Sequence, residues 1–187
     1  YTNEALFDLI REASEKSDIP PGWVQLIEAR REVKELLKLD ELVDLVVPRG
    51  SKEFVKYIQA NTRIPVLGHS EGLCHIYVDA DADIKKAVEV CHDAKVQYPA
   101  VCNAVETILV HKAIADVFLE PLGKRFLEVG VEVRGDERTR KILPWAKRVT
   151  EKDWRTEYLD LIISIKVVGG VQEAIDHINT YGSKHTD

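Results

Sequence analysis

The sequence predicts a three-layer α/β protein, a parallel sheet covered by helices, built in two parts. Three observations carry the prediction. Short apolar runs rich in branched residues, such as 42–47 and 161–168, alternate with amphipathic stretches of helical period. The connectors are short and hold Gly and Pro, as in Pro48-Arg49-Gly50-Ser51 and Gly169-Gly170. The 187 residues are 45% hydrophobic and 31% charged, enough apolar material for one good core or two modest ones.

The first part runs over residues 1–67. Leu6, Leu9 and Ile10 share one face of a helix at 5–13, which Pro20-Pro21-Gly22 ends. A short strand is expected at 23–27, a helix at 30–37 and a buried-type strand at 42–47. The turn 48–51 leads into a helix at 54–60, and 64–67 reads as another short strand. The second part, 68–187, opens with a strand at 73–78. Ile84, Ala87, Val88, Cys91 and Ala94 then form a clear helical stripe, which puts Cys91 in the core. Strands follow at 107–110, 131–133 and 161–168, with helices at 114–126 and 171–179. The charged stretch 134–141 and the segment 144–156 read as surface loop or short helix. A final strand and helix with no partner afterwards, and the lack of any methionine, lead us to expect a piece of a longer protein.

Bulk properties remove several classes of function. The net charge is −6 and the pI about 5.6, and no stretch interleaves Lys and Arg with aromatics, so nucleic acid is not an expected partner. The run 161–168 is far too short to cross a bilayer and Lys166 interrupts it, so no membrane association is expected. No signal-peptide pattern opens the chain. Cys74, Cys91 and Cys102 are odd in number and lack scaffold spacing. Free thiols and a cytoplasmic location are the reading.

Cys102 stands at a junction between a helix-like and a strand-like segment, beside the kink that Pro99 helps to set. A thiol there either faces a cleft, where its thiolate attacks a carbonyl carbon, or is a small buried apolar residue. Gly50-Ser51, between a strand and a helix, is either an anion site for a dinucleotide pyrophosphate or a plain turn with Ser51 as N-cap. Glu157, at a strand entry, is either a solvated cap or a holder of a sugar hydroxyl. Asp79, Asp81 and Asp83 imitate a calcium loop but lack its glycine and its closing glutamate, so they read as a turn favouring the next helix N-terminus. His69, Cys74 and His75 do not make a zinc site, because strand alternation sends Cys74 and His75 to opposite faces. His111 and His177 read as surface or hydrogen-bonded histidines.

Five segments together resemble the aldehyde dehydrogenase superfamily, and within it the branch that reduces gamma-glutamyl phosphate. They are Leu45-Val46-Val47-Pro48-Arg49-Gly50-Ser51-Lys52, Ile64-Pro65-Val66-Leu67-Gly68-His69-Ser70-Glu71-Gly72, Tyr98-Pro99-Ala100-Val101-Cys102-Asn103-Ala104-Val105-Glu106-Thr107, Thr156-Glu157-Tyr158-Leu159-Asp160-Leu161 and Tyr181-Gly182-Ser183-Lys184-His185-Thr186-Asp187. They recur in the family's order across nearly the whole chain.

The resemblance implies an aldehyde dehydrogenase-like fold. Residues 1–67 are then the later part of a Rossmann-like NADP-binding domain and 68–187 an incomplete catalytic domain, with the active site in the cleft between them. It implies that Cys102 is the catalytic thiol and that the Asn103 backbone N–H is an oxyanion donor. It makes Gly50 and Ser51 phosphate contacts of the cofactor and Glu157 a ribose contact. His69 stands where hydrolytic relatives carry a water-activating glutamate, which suits a phosphate-releasing reductase. Ser183, His185 and Thr186 become neighbours of the substrate. NADPH is the implied hydride donor and L-glutamyl 5-phosphate the substrate, reduced to L-glutamate 5-semialdehyde in proline biosynthesis. A homo-oligomer is implied for the full-length protein, and a glutamate 5-kinase as fused or separate partner. The alternatives are a hydrolytic or CoA-acylating aldehyde dehydrogenase, or a non-catalytic piece of a larger bifunctional synthase.

Overall fold

Branched and aliphatic residues at 105–110 and 162–168 are buried on both faces, as a parallel sheet covered by helices requires. The structure, a computed structural model, describes residues 1–68 and 71–185. These divide into two compact units, 1–68 and 71–185.

The larger unit holds a sheet of five parallel strands in the order β1-β2-β5-β3-β4. Its elements are β1 (Cys74–Val78), α4 (Ile84–Val96), β2 (Val105–His111), α5 (Ala115–Glu128), β3 (Glu132–Gly135), α6 (Glu137–Ile142), β4 (Lys147–Arg148), β5 (Ile162–Val168) and α7 (Val171–Tyr181). Alternate residues of the central strands serve different layers. Ile108, Val110, Ile163, Ile165 and Val167 join Val88 and Cys91 of α4 and Phe118, Leu119, Leu122 and Phe126 of α5 in the main core. On the other face Leu109 and Val168 meet Ala174 of α7. The stripe on α4 is buried as its period requires, and burial pushes the Cys91 thiol up to about 12, so it stays protonated. Asp83 caps α4 by accepting from the Lys86 N–H at 3.0 Å.

The smaller unit contains α1 (Thr2–Glu15), α2 (Arg30–Leu36) and α3 (Lys52–Ala60). Leu37, Val55, Ile58 and Ile64 are its buried apolar residues. Ser51 caps α3, accepting from the Phe54 N–H at 3.3 Å.

The strands expected in the smaller unit are corrected. Residues 23–27 form no strand, and 42–47 and 64–67 meet only in one parallel bridge, Val46 with Val66. Leu42 is 79% exposed. A buried parallel strand needs a hydrogen-bonded neighbour at each edge and helices on each face, and within this unit Val46 finds one neighbour only. In the larger unit, the segment 134–141 ends β3 and forms α6.

His177 is also corrected. It is buried, yet neither ring nitrogen makes a hydrogen bond. Its ring centroid lies 5.0 Å from Trp154, edge-on, and 4.5 Å from Tyr181. Burial pushes its pKa down to about 3, so it serves as a neutral aromatic. His111 follows the expectation: its Nδ1 accepts the Ala113 N–H at 3.1 Å.

Candidate active site

Cys102 and Asn103 occupy the two central positions of a turn that links α4 to β2. The turn is closed by the Ala104 N–H donating to the Val101 carbonyl at 3.0 Å. Both residues are exposed. The closing bond uses neither central N–H. The thiol could have been one more core residue; its exposure separates it from Cys74 and Cys91, which are buried.

The residues gathered around this turn all come from one edge of the sheet. Gly72 precedes β1, Cys102 precedes β2 and Glu157 precedes β5, so three strand entries converge. Helix α7 runs back from the far end of β5 and delivers Ser183 to the same edge. Gly72 packs flat on the thiol turn: a Cβ built on it would lie 2.0 Å from the Cys102 carbonyl oxygen. The Cys74 thiol donates to that oxygen at 3.3 Å. The Gly72 N–H donates to Glu157 Oε1 at 3.0 Å, and the Leu73 N–H to Ser183 Oγ at 2.9 Å. Glu157 and Ser183 are half-buried, as is His185 just beyond.

Below the turn lies an ion pair. Lys95, in the last turn of α4, meets Glu106 of β2 at 2.8 Å, with side chains 0% and 1% exposed. Burial pushes the Glu106 carboxyl up to about 6, against the pull of the Lys95 ammonium. Its other oxygen accepts the Leu159 N–H at 3.2 Å. Leu159 has φ +54, a left-handed conformation that costs a residue with a Cβ about 1–2 kcal/mol.

The entry to β5 is fixed by a further cluster. Asp153 accepts from the Thr150 N–H at 2.7 Å, the Thr150 hydroxyl at 2.6 Å, the Tyr158 hydroxyl at 3.0 Å and the Arg134 guanidinium. Burial opposes ionisation, but the Thr150 and Arg134 hydrogen bonds outweigh it and hold the carboxyl at about 2, below its ordinary 3.8. A depressed pKa contributes stability that is present above pH ~4 and lost as pH falls toward ~2. Asp153→Asn is expected to lower stability by about 2 kcal/mol at pH 7 and to flatten the acid limb of a denaturation series measured between pH 5 and 2.

The expected site residues thus fall into three groups. Cys102, Asn103, Glu157 and Ser183 meet around Gly72 and Leu73, with His185 in the same C-terminal segment. Gly50 and Ser51 belong to the smaller unit, at the start of α3, where Gly50 has φ +147 and an added Cβ would lie 3.0 Å from the Phe54 ring. His69 and Thr186 lie outside the described residues. Sequence reasoning passed over Gly72, Lys95 and Glu106. The signals were present: Lys95 falls on the apolar stripe of α4, and Glu106 interrupts an apolar strand. Among the described residues no group of three or more His, Cys, Asp or Glu side chains is placed to hold a metal ion. No helix among them is long and apolar enough to cross a membrane.

An all-parallel sheet with a solvent-facing cysteine on the turn before its second strand defines the class. The chain belongs to the aldehyde dehydrogenase family, whose sequence profile matches residues 2–149. It is 58% identical to the gamma-glutamyl phosphate reductase of Pelotomaculum thermopropionicum, over all of this chain and 43% of that protein. The crystal structure of gamma-glutamyl phosphate reductase from Thermotoga maritima superposes with a TM-score of 0.89 at 48% identity, over 96% of this chain and 44% of that one. A glyceraldehyde-3-phosphate dehydrogenase from Methanocaldococcus jannaschii, complexed with NADP, shares the fold at 21% identity and a TM-score of 0.67, over 92% and 47% of the two chains. The chain spans under half the length of these relatives.

Proposed function

We propose that the protein carrying this chain reduces L-glutamyl 5-phosphate to L-glutamate 5-semialdehyde with NADPH and releases phosphate. The observation that carries this is the exposed Cys102 on a turn whose two central N–H groups are free of the closing bond, in a chain 58% identical to a protein named for that reduction.

The Cys102 thiolate attacks the acyl carbon of the acyl phosphate. A C–S bond forms, the C–O bond to phosphate breaks, and a thioester remains on Cys102. The Cys102 and Asn103 N–H groups donate to the carbonyl oxygen as negative charge develops there. Phosphate needs little proton assistance to leave, so no water-activating carboxylate is required. The half-buried Glu157 carboxylate has one oxygen on Gly72 and keeps the other for a ribose hydroxyl. Gly50 and Ser51, at the start of α3, suit dinucleotide phosphates: the turn at Gly50 excludes a side chain, and the first amides of a helix favour an anion. Bound NADPH would supply the hydride that reduces the thioester. Cys102 then leaves as thiolate. Ser183 and His185, at the same sheet edge, are assigned to the amino-acid end of the substrate, and so are His69 and Thr186 by their place in the sequence.

The test is a stopped incubation of the protein as the cell makes it with L-glutamyl 5-phosphate in the absence of NADPH. One equivalent of inorganic phosphate should appear together with a hydroxylamine-sensitive acyl adduct on Cys102. Absence of the adduct, with phosphate released no faster than in a protein-free control, or an adduct that water or coenzyme A discharges and inorganic phosphate does not, would point to the hydrolytic or CoA-acylating alternatives and overturn this reading.

A further inference from the structure

Three unusual features meet at one point beneath the thiol turn. The first is the buried Lys95–Glu106 pair. The second is a register shift between β1 and β2: Cys74 pairs with Val105 but His75 with Thr107, so Glu106 is the extra residue of a bulge. Bulges are rare in parallel pairs and re-aim the side chain that they displace. The third is Leu159, held at φ +54 with its N–H on Glu106 Oε1. A buried ion pair contributes little net stability, and packed hydrophobic replacements are commonly neutral or better. Folding alone does not account for a charge pair on a bulge that grips a strained residue.

We infer that Glu106, with Lys95 as its counter-ion, forms a strut that sets the spacing between the thiol turn and Glu157. Glu106 follows Cys102 by four residues on the same strand entry, and Leu159 follows Glu157 by two. The bond from the Leu159 N–H to Glu106 Oε1 ties the two arms of the site together. Lys95 offsets the buried charge and is dispensable where that charge is removed. Neither touches a reactant; Glu106 is the positioning residue. The inference rests on the reading of Cys102 as nucleophile.

The test compares two double variants of the protein as the cell makes it, both lacking the charges. Lys95→Met with Glu106→Leu removes the acceptor for the Leu159 N–H. Lys95→Met with Glu106→Gln keeps an oxygen for it. The leucine variant should melt within roughly 4 °C of wild type. Its Leu159 amide should exchange at least about 10-fold faster, and kcat should fall at least about 10-fold at nearly constant KM for the acyl phosphate. The glutamine variant should recover Leu159 protection and most of kcat. Retention of both properties by the leucine variant, or recovery of neither by glutamine, would overturn the strut. If the leucine variant fails to fold, Lys95→Met with Glu106→Ala, which also removes the acceptor, takes its place under the same two readouts. Wild-type protein inert toward the acyl phosphate would sink the functional reading alone. Leu159 exchange and the rate at which iodoacetamide alkylates Cys102 would still test the strut.

Discussion

Replacing Cys102 by alanine is expected to abolish turnover, by at least about 10⁴-fold, while the melting temperature stays within error of wild type. The two halves of that expectation have separate causes. The side chain is exposed, so its removal opens no cavity and breaks no packing. Its carbonyl oxygen, which Cys74 grips, belongs to the backbone and survives the substitution. In the proposed reaction the sulfur forms the bond to the acyl carbon, and neither of the other two thiols of this chain is placed to replace it. Cys91 is buried with its pKa raised to about 12, and Cys74 is buried with its thiol on the Cys102 carbonyl. Steady-state oxidation of NADPH at 340 nm, paired with a thermal melt, checks both halves. Preserved turnover in a folded alanine variant would remove Cys102 from the chemistry.

Gly72→Ala is expected to be the most damaging single change outside the thiol. The new methyl would sit 2.0 Å from the Cys102 carbonyl oxygen, 2.8 Å from its carbon and 2.9 Å from its Cα. These are backbone atoms, so no rotamer change relieves the overlap and the turn itself must move. Overpacking of this kind costs about 1–3 kcal/mol. A displacement of ~1 Å at a reacting group costs roughly 10²-fold in rate. The Gly72 N–H bond to Glu157 would shift with it. We expect a lower melting temperature, an altered rate of Cys102 alkylation by iodoacetamide and at least ~10²-fold loss of kcat. An alanine variant with wild-type melting and alkylation would show that the contact at Gly72 does not set the turn.

Much of the larger unit was legible in the sequence because each signal there is enforced by burial. The stripe through Cys91, the branched run 162–168 and the Asp83 cap each have one physical interpretation, and the structure follows it. The smaller unit was less legible. A run such as 42–47 reads as a buried strand from composition alone, but a strand exists only where neighbours pair with it, and sequence does not show how many neighbours are present. The site was half legible. The residues around Cys102 left a buried and an exposed thiol both open; the resemblance singled it out, and the structure shows it exposed. Gly72 was passed over because its significance is a close approach to a backbone 30 residues away in the chain. The ion pair was passed over because Lys95 and Glu106 lie 11 residues apart on different elements, and although each stands at an apolar position, nothing in the sequence shows that the two meet. His177 was misjudged because sequence gives no measure of how deeply an imidazole is enclosed by aromatic neighbours.

The bond between the Leu73 N–H and Ser183 Oγ joins residues 110 apart, and that between Gly72 and Glu157 joins residues 85 apart. A nascent chain leaving the ribosome therefore carries its sulfhydryl well before Glu157 and Ser183 are made. Contacts of such separation form late, after the intervening strands have zipped. The thiol turn thus reaches its final setting only when the last strand and helix dock, so a chain caught part-way through synthesis presents a thiol without the geometry that the proposed chemistry needs.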